Sequence, residues 1–173
     1  MIETPYNAHL ETQIEQISKR GGAFLTVSCE EQLNTMTIGW GSFGFIWGKP
    51  IIMVAVRSSR HTYGILERSL EFSVTIPQQS EAFREALELC GSKSGRDLDK
   101  FAAAGLVAIP GKKIATPVIS GAAWQYECIV VYKQEMNDLS ILAPDIGDRL
   151  YHPQTNPWHT LYYGEVVASY STQ

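Results

Sequence analysis

Cysteine is scarce in this sequence, and the few cysteines are far apart. Cys29, Cys90 and Cys128 form no C-x-x-C pair, and three residues do not make a disulfide framework. This usage predicts reduced thiols and a cytoplasmic protein. His152 and His159 have no acidic or thiol ligand beside them, so no metal site is predicted.

Long hydrophobic runs and dense basic patches are also lacking. No apolar stretch approaches the ~20 residues of a membrane span. The first residues show no basic segment followed by a hydrophobic one, so no signal peptide is expected. The net charge is −4, and the 14 lysines and arginines are scattered, which argues against a nucleic-acid surface.

The familiar catalytic signatures are missing too. There is no G-x-S-x-G elbow, and no serine or cysteine can be paired locally with a histidine and a carboxylate. The P-loop pattern G-x-x-x-x-G-K-[ST] does not occur. Hydrolase and P-loop functions are therefore disfavoured.

The 173 residues, 45% of them hydrophobic, are enough for one globular domain, predicted over 1–173. Leu10, Ile14 and Ile17 indicate an amphipathic helix over 9–19 that ends at Gly21–Gly22. Further helices are predicted over 61–69 and 79–90, the second facing inward with Phe83, Ala86, Leu87 and Cys90, and a short one from an Asp97 N-cap to Gly105. Strands are predicted over 23–29, 33–40, 51–57, 72–76, 124–133, 139–143 and 158–170.

These strands outnumber the helices and do not alternate with them. Such an order favours an antiparallel barrel with attached helices over a doubly wound parallel sheet. In the strand from Trp124, residues Tyr126 and Cys128 share one face, with Gln125 and Glu127 on the other. The loop predicted over 144–157 is long enough to be functional.

The strongest site candidate is the end of the apolar strand 51–57. Arg57, Ser58, Ser59, Arg60 and Thr62 follow it directly and lead into a helix. A helix N-terminus offers backbone N–H groups and a positive dipole end, and arginine adds planar donors suited to phosphate. The alternative is an ordinary helix cap with solvated arginines.

Two further segments have weaker signals. The segment Asn34–Gly44 combines glycines with Met36 and Trp40, so a flat ligand could approach its backbone, although a bulged strand with core aromatics explains it as well. The segment Cys90–Phe101 is rich in Gly, Ser and charge, and read alone it is better explained as a solvated connection between helices. His159 is a lone histidine, which is more often structural than catalytic.

Taken in order, several blocks resemble the flavin reductase-like family with its FMN-binding split barrel, which includes the flavoredoxins. They extend over about residues 23–168. The blocks are Asn34–Trp40, Lys49–Pro50, Arg57-x-x-Arg60-x-Thr62, Phe72–Pro77, Ser94–Phe101 and His159–Val166.

The resemblance implies a Greek-key split β-barrel that forms a homodimer, with FMN in a cleft at the dimer interface. Thr35, Met36, Thr37, Trp40 and Gly41 would line the flavin ring. The phosphate would be held by Arg57, Ser58, Ser59, Arg60 and Thr62, with Ser94 and Lys100 approaching from the third segment. His159 would lie near the flavin or the nicotinamide, and no side chain is expected to be indispensable for proton transfer.

By the same resemblance, the function is an FMN-dependent oxidoreductase that takes electrons from NADH or NADPH and passes them to free flavin or another acceptor. Flavin carries the hydride chemistry, which agrees with the missing nucleophile and metal cage. The alternative is a flavoredoxin-type electron carrier that serves a redox partner protein and has no nicotinamide site. A barrel that has lost its flavin is a third reading.

Overall fold

The computed structural model describes residues 1–152 and 155–171, and its largest element is one antiparallel sheet. The described strands are β1 (Ile2–Glu3), β2 (Ala23–Cys29), β3 (Gln32–Ile38), β4 (Gly41–Ile46), β5 (Lys49–Arg57), β6 (Glu71–Ile76), β7 (Ala108–Ile109), β8 (Val118–Ile119), β9 (Trp124–Glu135) and β10 (His159–Ser171). The helices are α1 (Leu10–Lys19), α2 (His61–Ser69), α3 (Glu81–Ser92), α4 (Lys100–Ala103) and α5 (Pro144–Leu150).

The strand order of the sheet is β3-β2-β6-β9-β10-β5-β4, and the short β1 pairs with β10. Its neighbours pair antiparallel throughout. The end strands β3 and β4 are consecutive in the chain, yet no pairing joins them in the described ranges, so the sheet stays open between them. The predicted class, a mainly β split barrel with peripheral helices, is confirmed.

Strand β2 is buried on both of its faces. Residues 23–27 are all inaccessible to solvent. Leu25 points into the core inside the sheet, whereas Phe24 packs on the other side against Leu87 of α3 and Phe101 of α4. A strand covered on both sides has no polar face, which explains why its sequence does not alternate.

Helix α1 occupies nearly the predicted range, but the prediction of its apolar face is partly wrong. Ile14 is 52% exposed, whereas Gln13 and Gln16 are buried. The Gln13 amide accepts from the Tyr126 hydroxyl at 2.5 Å, and the Gln16 amide donates to the carbonyls of Arg20 and Gly22. Both amides are buried because they satisfy polar groups that would otherwise lack partners.

Three local predictions are corrected by the structure. The N-cap of the short helix α4 is Asp99, whose carboxylate accepts from the backbone of Phe101 and Ala102, and not Asp97. The predicted strand over 139–143 is replaced by a 3-10 turn at Asp138–Ser140. Within the predicted loop 144–157, Pro144 at the first turn starts helix α5, as its preset backbone angle favours.

The polar face of β9 is buried near its start. Glu127 is fully inaccessible, and its carboxylate accepts from the backbone N–H groups of Lys112, Lys113 and Ile114 and from the Tyr170 hydroxyl. The loop before β8 therefore covers this face and satisfies the buried charge. In the described ranges, no helix is long and apolar enough to cross a membrane.

Candidate functional site

The turn between β5 and α2 forms as the sequence predicts. The strand ends at Arg57 and the helix begins at His61. Arg60 is the N-cap residue with an extended backbone, and its side chain makes no capping hydrogen bond. The first N–H groups of α2 therefore lack a side-chain cap and are available to an anion.

This turn opens onto a cavity of about 330 Å³, here called the cationic cavity. It is lined by Asn34, Met36, Arg57, Ser59, Arg60, His61, Thr62, Ser92, Lys93, Ser94, Gly95, Arg96, Lys100, Thr155 and Asn156. Five of these residues are lysines or arginines, and none is an aspartate or glutamate. A confined wall of one charge sign attracts an anion.

Hydrogen bonds to backbone carbonyls hold Lys100, Arg60 and Arg96 in place. The Lys100 ammonium donates to the carbonyl of Cys90 at 2.7 Å, and Lys100 is only 4% exposed. The guanidinium of Arg60 donates to the Gly91 carbonyl at 3.0 Å, and that of Arg96 donates to the Ser59 carbonyl at 3.1 Å. The bonds of Arg60 and Arg96 tie the turn after β5 to the end of α3 and to the loop that follows it, and the bond of Lys100 ties α4 to α3.

The back of the cationic cavity is tightly packed. The Asn34 amide donates to the Thr62 hydroxyl at 2.8 Å, and both residues are buried. A Cβ placed on Gly95 would lie 2.1 Å from Asn34 Oδ1 and 3.0 Å from His61 Cδ2. Only glycine allows the loop to approach β3 and α2 this closely.

A second cavity of about 210 Å³, here called the aromatic cavity, adjoins the first. The two share Met36, Arg57 and Arg60. The other lining residues of the aromatic cavity are Thr37, Ile38, Gly39, Trp40, Ala55 and His159. The rings of Trp40 and His159 lie 4.8 Å apart between centroids. The cationic cavity thus adjoins the aromatic cavity, which is lined largely by rings and aliphatic groups.

Burial and the cations alter the titration of the site. Burial lowers the pKa of Lys100, and Arg60 lowers it further. Burial, followed by the charges of Arg96 and Lys100, lowers the pKa of His61. The pKa of His159 is lowered to about 4 by burial and by Arg57 and Arg60. At neutral pH the His159 ring is therefore uncharged.

Residues 18–172 match the family model described as the flavin reductase like domain. The chain belongs to this family. An uncharacterized protein of Archaeoglobus fulgidus is 28% identical over 123 residues, which are 71% of this chain and 68% of that protein.

Solved structures resemble this flavin reductase-like chain in fold. A flavoredoxin from Methanosarcina acetivorans superposes with a TM-score of 0.68 at 23% identity, over 87% of this chain and 68% of the flavoredoxin. The NADH:FAD oxidoreductase of Streptomyces globisporus C-1027 superposes with a TM-score of 0.65 at 16% identity, over 99% of this chain and 87% of the enzyme.

Most site residues predicted from the sequence of this flavin reductase-like domain come together at the two cavities. Met36, Arg57, Ser59, Arg60, Thr62, Ser94 and Lys100 line the cationic cavity, and Thr37, Trp40 and His159 line the aromatic one.

Thr35, Gly41 and Ser58 line neither cavity. Thr35 is fully buried, and its hydroxyl donates to the Leu25 carbonyl. Gly41 pairs with Val54 in the sheet, and Ser58 lies exposed in the turn.

Other lining residues were not selected from the sequence. Asn34, His61 and Arg96 all lie inside the three candidate segments. The sequence pattern thus indicated the segments but did not single out these three residues. Thr155 and Asn156 come from the region predicted as a loop, where no local pattern distinguishes them. Across the described residues, no group of three His, Cys, Asp or Glu side chains could hold a metal ion.

Proposed function

We propose that this protein binds FMN and transfers electrons from NADH or NADPH, through the flavin, to free flavin or another acceptor. The observation that carries the proposal is the pair of adjoining cavities, one cationic and one aromatic, which share Met36, Arg57 and Arg60. A ligand with a phosphate at one end and a flat ring system at the other matches this pair.

The donor set of the cationic cavity fits a phosphate monoester. Arg60, Arg96 and Lys100 supply positive charge, Ser59 and Ser94 supply hydroxyls, and α2 supplies N–H groups. No carboxylate of the lining opposes a dianion. We assign the phosphate of FMN to these residues.

The aromatic cavity would hold the ring system. Met36 and Trp40 offer apolar and aromatic surface, and the end of β3 with the following Gly39 offers backbone groups at 37–39. When bound, a flavin supplies the hydride-accepting chemistry, so the protein has to bind, orient and exclude water. The neutral His159 can donate a hydrogen bond there. Because its pKa is about 4, the protonated ring is scarcely populated at neutral pH, so His159 is a poor general acid.

The comparisons support a redox function without choosing the electron donor. One structural relative is a flavoredoxin and another is an NADH:FAD oxidoreductase. The similarity to the flavoredoxin supports the second candidate, an FMN electron carrier that exchanges electrons with a protein partner and not with a nicotinamide.

One experiment tests the proposal and separates its two forms. Purified protein is titrated with FMN while flavin fluorescence is followed, and the complex is then mixed anaerobically with NADH or NADPH. Bleaching of the flavin by either nucleotide supports the oxidoreductase. Tight FMN binding with only chemical reduction supports the electron carrier, and the absence of FMN binding rejects both.

The Arg60→Ala variant tests the phosphate assignment. Loss of a charge-assisted hydrogen bond costs about 1.5–3 kcal/mol, so the Kd for FMN should rise about 10- to 100-fold. Because Arg60 is exposed, the melting temperature should hardly change. Arg84→Ala is the matched control, since Arg84 is an exposed arginine on α3 paired with Glu81. Equal FMN affinity in the two variants would remove Arg60 from the site.

We also propose a homodimer, formed through the exposed aromatic hairpin of β4 and β5. Phe45 is 66% exposed and Trp47 57%. The Trp47 ring contacts the ring of Tyr132, whose strand β9 continues the apolar surface. An exposed apolar patch of this kind indicates a protein–protein interface. Sedimentation of the wild type and of Trp47→Asp tests it, with a dimer expected only for the wild type.

A further inference from the structure

The hydroxyl of Tyr151 lies 2.9 Å from Nδ1 of His159. Both residues are buried, with 6% of Tyr151 and 8% of His159 exposed. The Tyr151 ring stacks on Trp158 at 4.2 Å and meets the His159 ring edge-on. Ring packing therefore fixes the hydroxyl independently of its hydrogen bond.

Arg57 holds the backbone around Tyr151. Its guanidinium donates to the Pro157 carbonyl at 2.6 Å and to the Leu150 carbonyl at 3.2 Å, and it lies 5.0 Å from the centre of the Tyr151 ring. The side-chain amide of Asn156 also donates to the Leu150 carbonyl. Arg57, at the end of a strand, thus anchors the chain directly before Tyr151 and again two residues before His159.

Two proton arrangements are compatible with the 2.9 Å contact. The hydroxyl can donate to Nδ1, or Nδ1–H can donate to the hydroxyl while the hydroxyl donates to Met136 Sδ at 3.6 Å. An imidazole nitrogen is a much better acceptor than a thioether sulfur, and it is closer. The first arrangement is therefore favoured, which leaves the ring proton of neutral His159 on Nε2.

Within the described ranges, Nε2 of His159 has no hydrogen-bond partner. Every buried side-chain nitrogen and oxygen in those ranges does have a partner, so Nε2 is not among the buried atoms. It is therefore accessible, and His159 forms part of the aromatic cavity opposite Trp40. A ligand in that cavity can reach the Nε2–H group.

We propose that Tyr151 is a positioning residue, whose hydroxyl holds His159 in the Nε2–H tautomer as a hydrogen-bond donor to an acceptor atom in the aromatic cavity. The acceptor is a carbonyl oxygen or ring nitrogen, which rests on the proposed function because the flavin ring carries both. The ring stays neutral at neutral pH, since burial and the charges of Arg57 and Arg60 lower its pKa.

The tautomer is tested in the protein without added flavin. Histidine labelled with nitrogen-15 reports by NMR which ring nitrogen carries the proton. We expect an unprotonated Nδ1 and a protonated Nε2 for His159 in the wild type, and a shift of both signals in Tyr151→Phe. That variant keeps the ring and its stacking, and Tyr6→Phe, at a half-buried tyrosine that lines neither cavity, is the control. A protonated Nδ1 in the wild type, or unchanged signals in Tyr151→Phe, overturns the proposal.

FMN affinity supplies the second measurement through a double-mutant cycle with His159→Phe. Loss of one neutral hydrogen bond predicts a three- to tenfold rise in Kd for Tyr151→Phe, at about 1 kcal/mol. We expect no further rise in the His159→Phe background. An equal rise there would show that Tyr151 does not act through His159. If the wild type itself does not bind FMN, the proposed function fails, and the NMR result alone decides the role of Tyr151.

Discussion

Replacing Gly95 by alanine tests how the cationic cavity is built. The added Cβ would lie 2.1 Å from Asn34 Oδ1, whereas ordinary contact begins at 3.4 Å, so the groups must separate by about 1.3 Å. Asn34 cannot easily retreat, since it is 3% exposed and its amide is bonded to Thr62. The loop that carries Ser94 and Arg96 therefore has to move.

The size of the effect follows from what that loop contributes. Its shift breaks the bond from Arg96 to the Ser59 carbonyl and displaces one cation of the proposed phosphate site. One lost charge-assisted hydrogen bond corresponds to about 1.5–3 kcal/mol, or about a 10- to 100-fold higher Kd for FMN. The overpacking itself should cost about 1–3 kcal/mol of unfolding free energy.

Fluorescence titration with FMN and urea unfolding measure the two effects. Gly64→Ala is the matched control, because its Cβ meets nothing within 4 Å and the position lies inside α2. That variant should keep the FMN affinity and gain about 0.5–1 kcal/mol of stability. In the Asn34→Ala background, the additional effect of Gly95→Ala should largely disappear, since the clashing oxygen is gone.

The reasoning is refuted if Gly95→Ala binds FMN as tightly as Gly64→Ala does. It is also refuted if Gly95→Ala loses affinity equally in the wild-type and Asn34→Ala backgrounds. The first result would show that the loop does not hold the cofactor, and the second that the contact with Asn34 does not position it.

Two further predictions concern stability. Glu127→Ala should lower the unfolding free energy by about 3–5 kcal/mol in urea unfolding, because three backbone N–H groups and the Tyr170 hydroxyl lose a buried acceptor; a loss below 1 kcal/mol would contradict the buried network. Since the pKa of His159 is about 4 in the fold and 6.5 is its ordinary value, the unfolded chain binds the extra proton. Stability should therefore fall as the pH drops from about 6.5 towards 4, by about 2 kcal/mol at pH 5, and the His159→Phe variant should lack this part of the pH dependence.

Local sequence patterns predicted the helices, the strands and the site segments well wherever the structure of a residue depends on its neighbours in the chain. The apolar strand before Arg57, the helix after it and the excess of strands over helices all follow from periodicity and turn chemistry. The apolar face of α1 was predicted wrongly for a reason that lies outside its local sequence. Ile14 is exposed and Gln13 buried because Tyr126, far away in the chain, offers the amide a partner.

Which residues share a cavity was decided only by the tertiary structure. Asn34, His61 and Arg96 belong to three separate segments, and the sheet and the loop after α3 bring them together around Gly95. Likewise, the position of Arg57 in the chain predicts a phosphate ligand. In the fold, its guanidinium donates hydrogen bonds to the carbonyls of Leu150 and Pro157.

The class of fold, the family resemblance and the strand-to-helix turn follow from the sequence alone, because these depend on local pattern and on the order of blocks along the chain. The tertiary structure decided the two adjoining cavities, the neutral state of His159 and its pairing with Tyr151. Burial and the charges of residues distant in the chain act through space, so the spacing of residues in the sequence does not predict them.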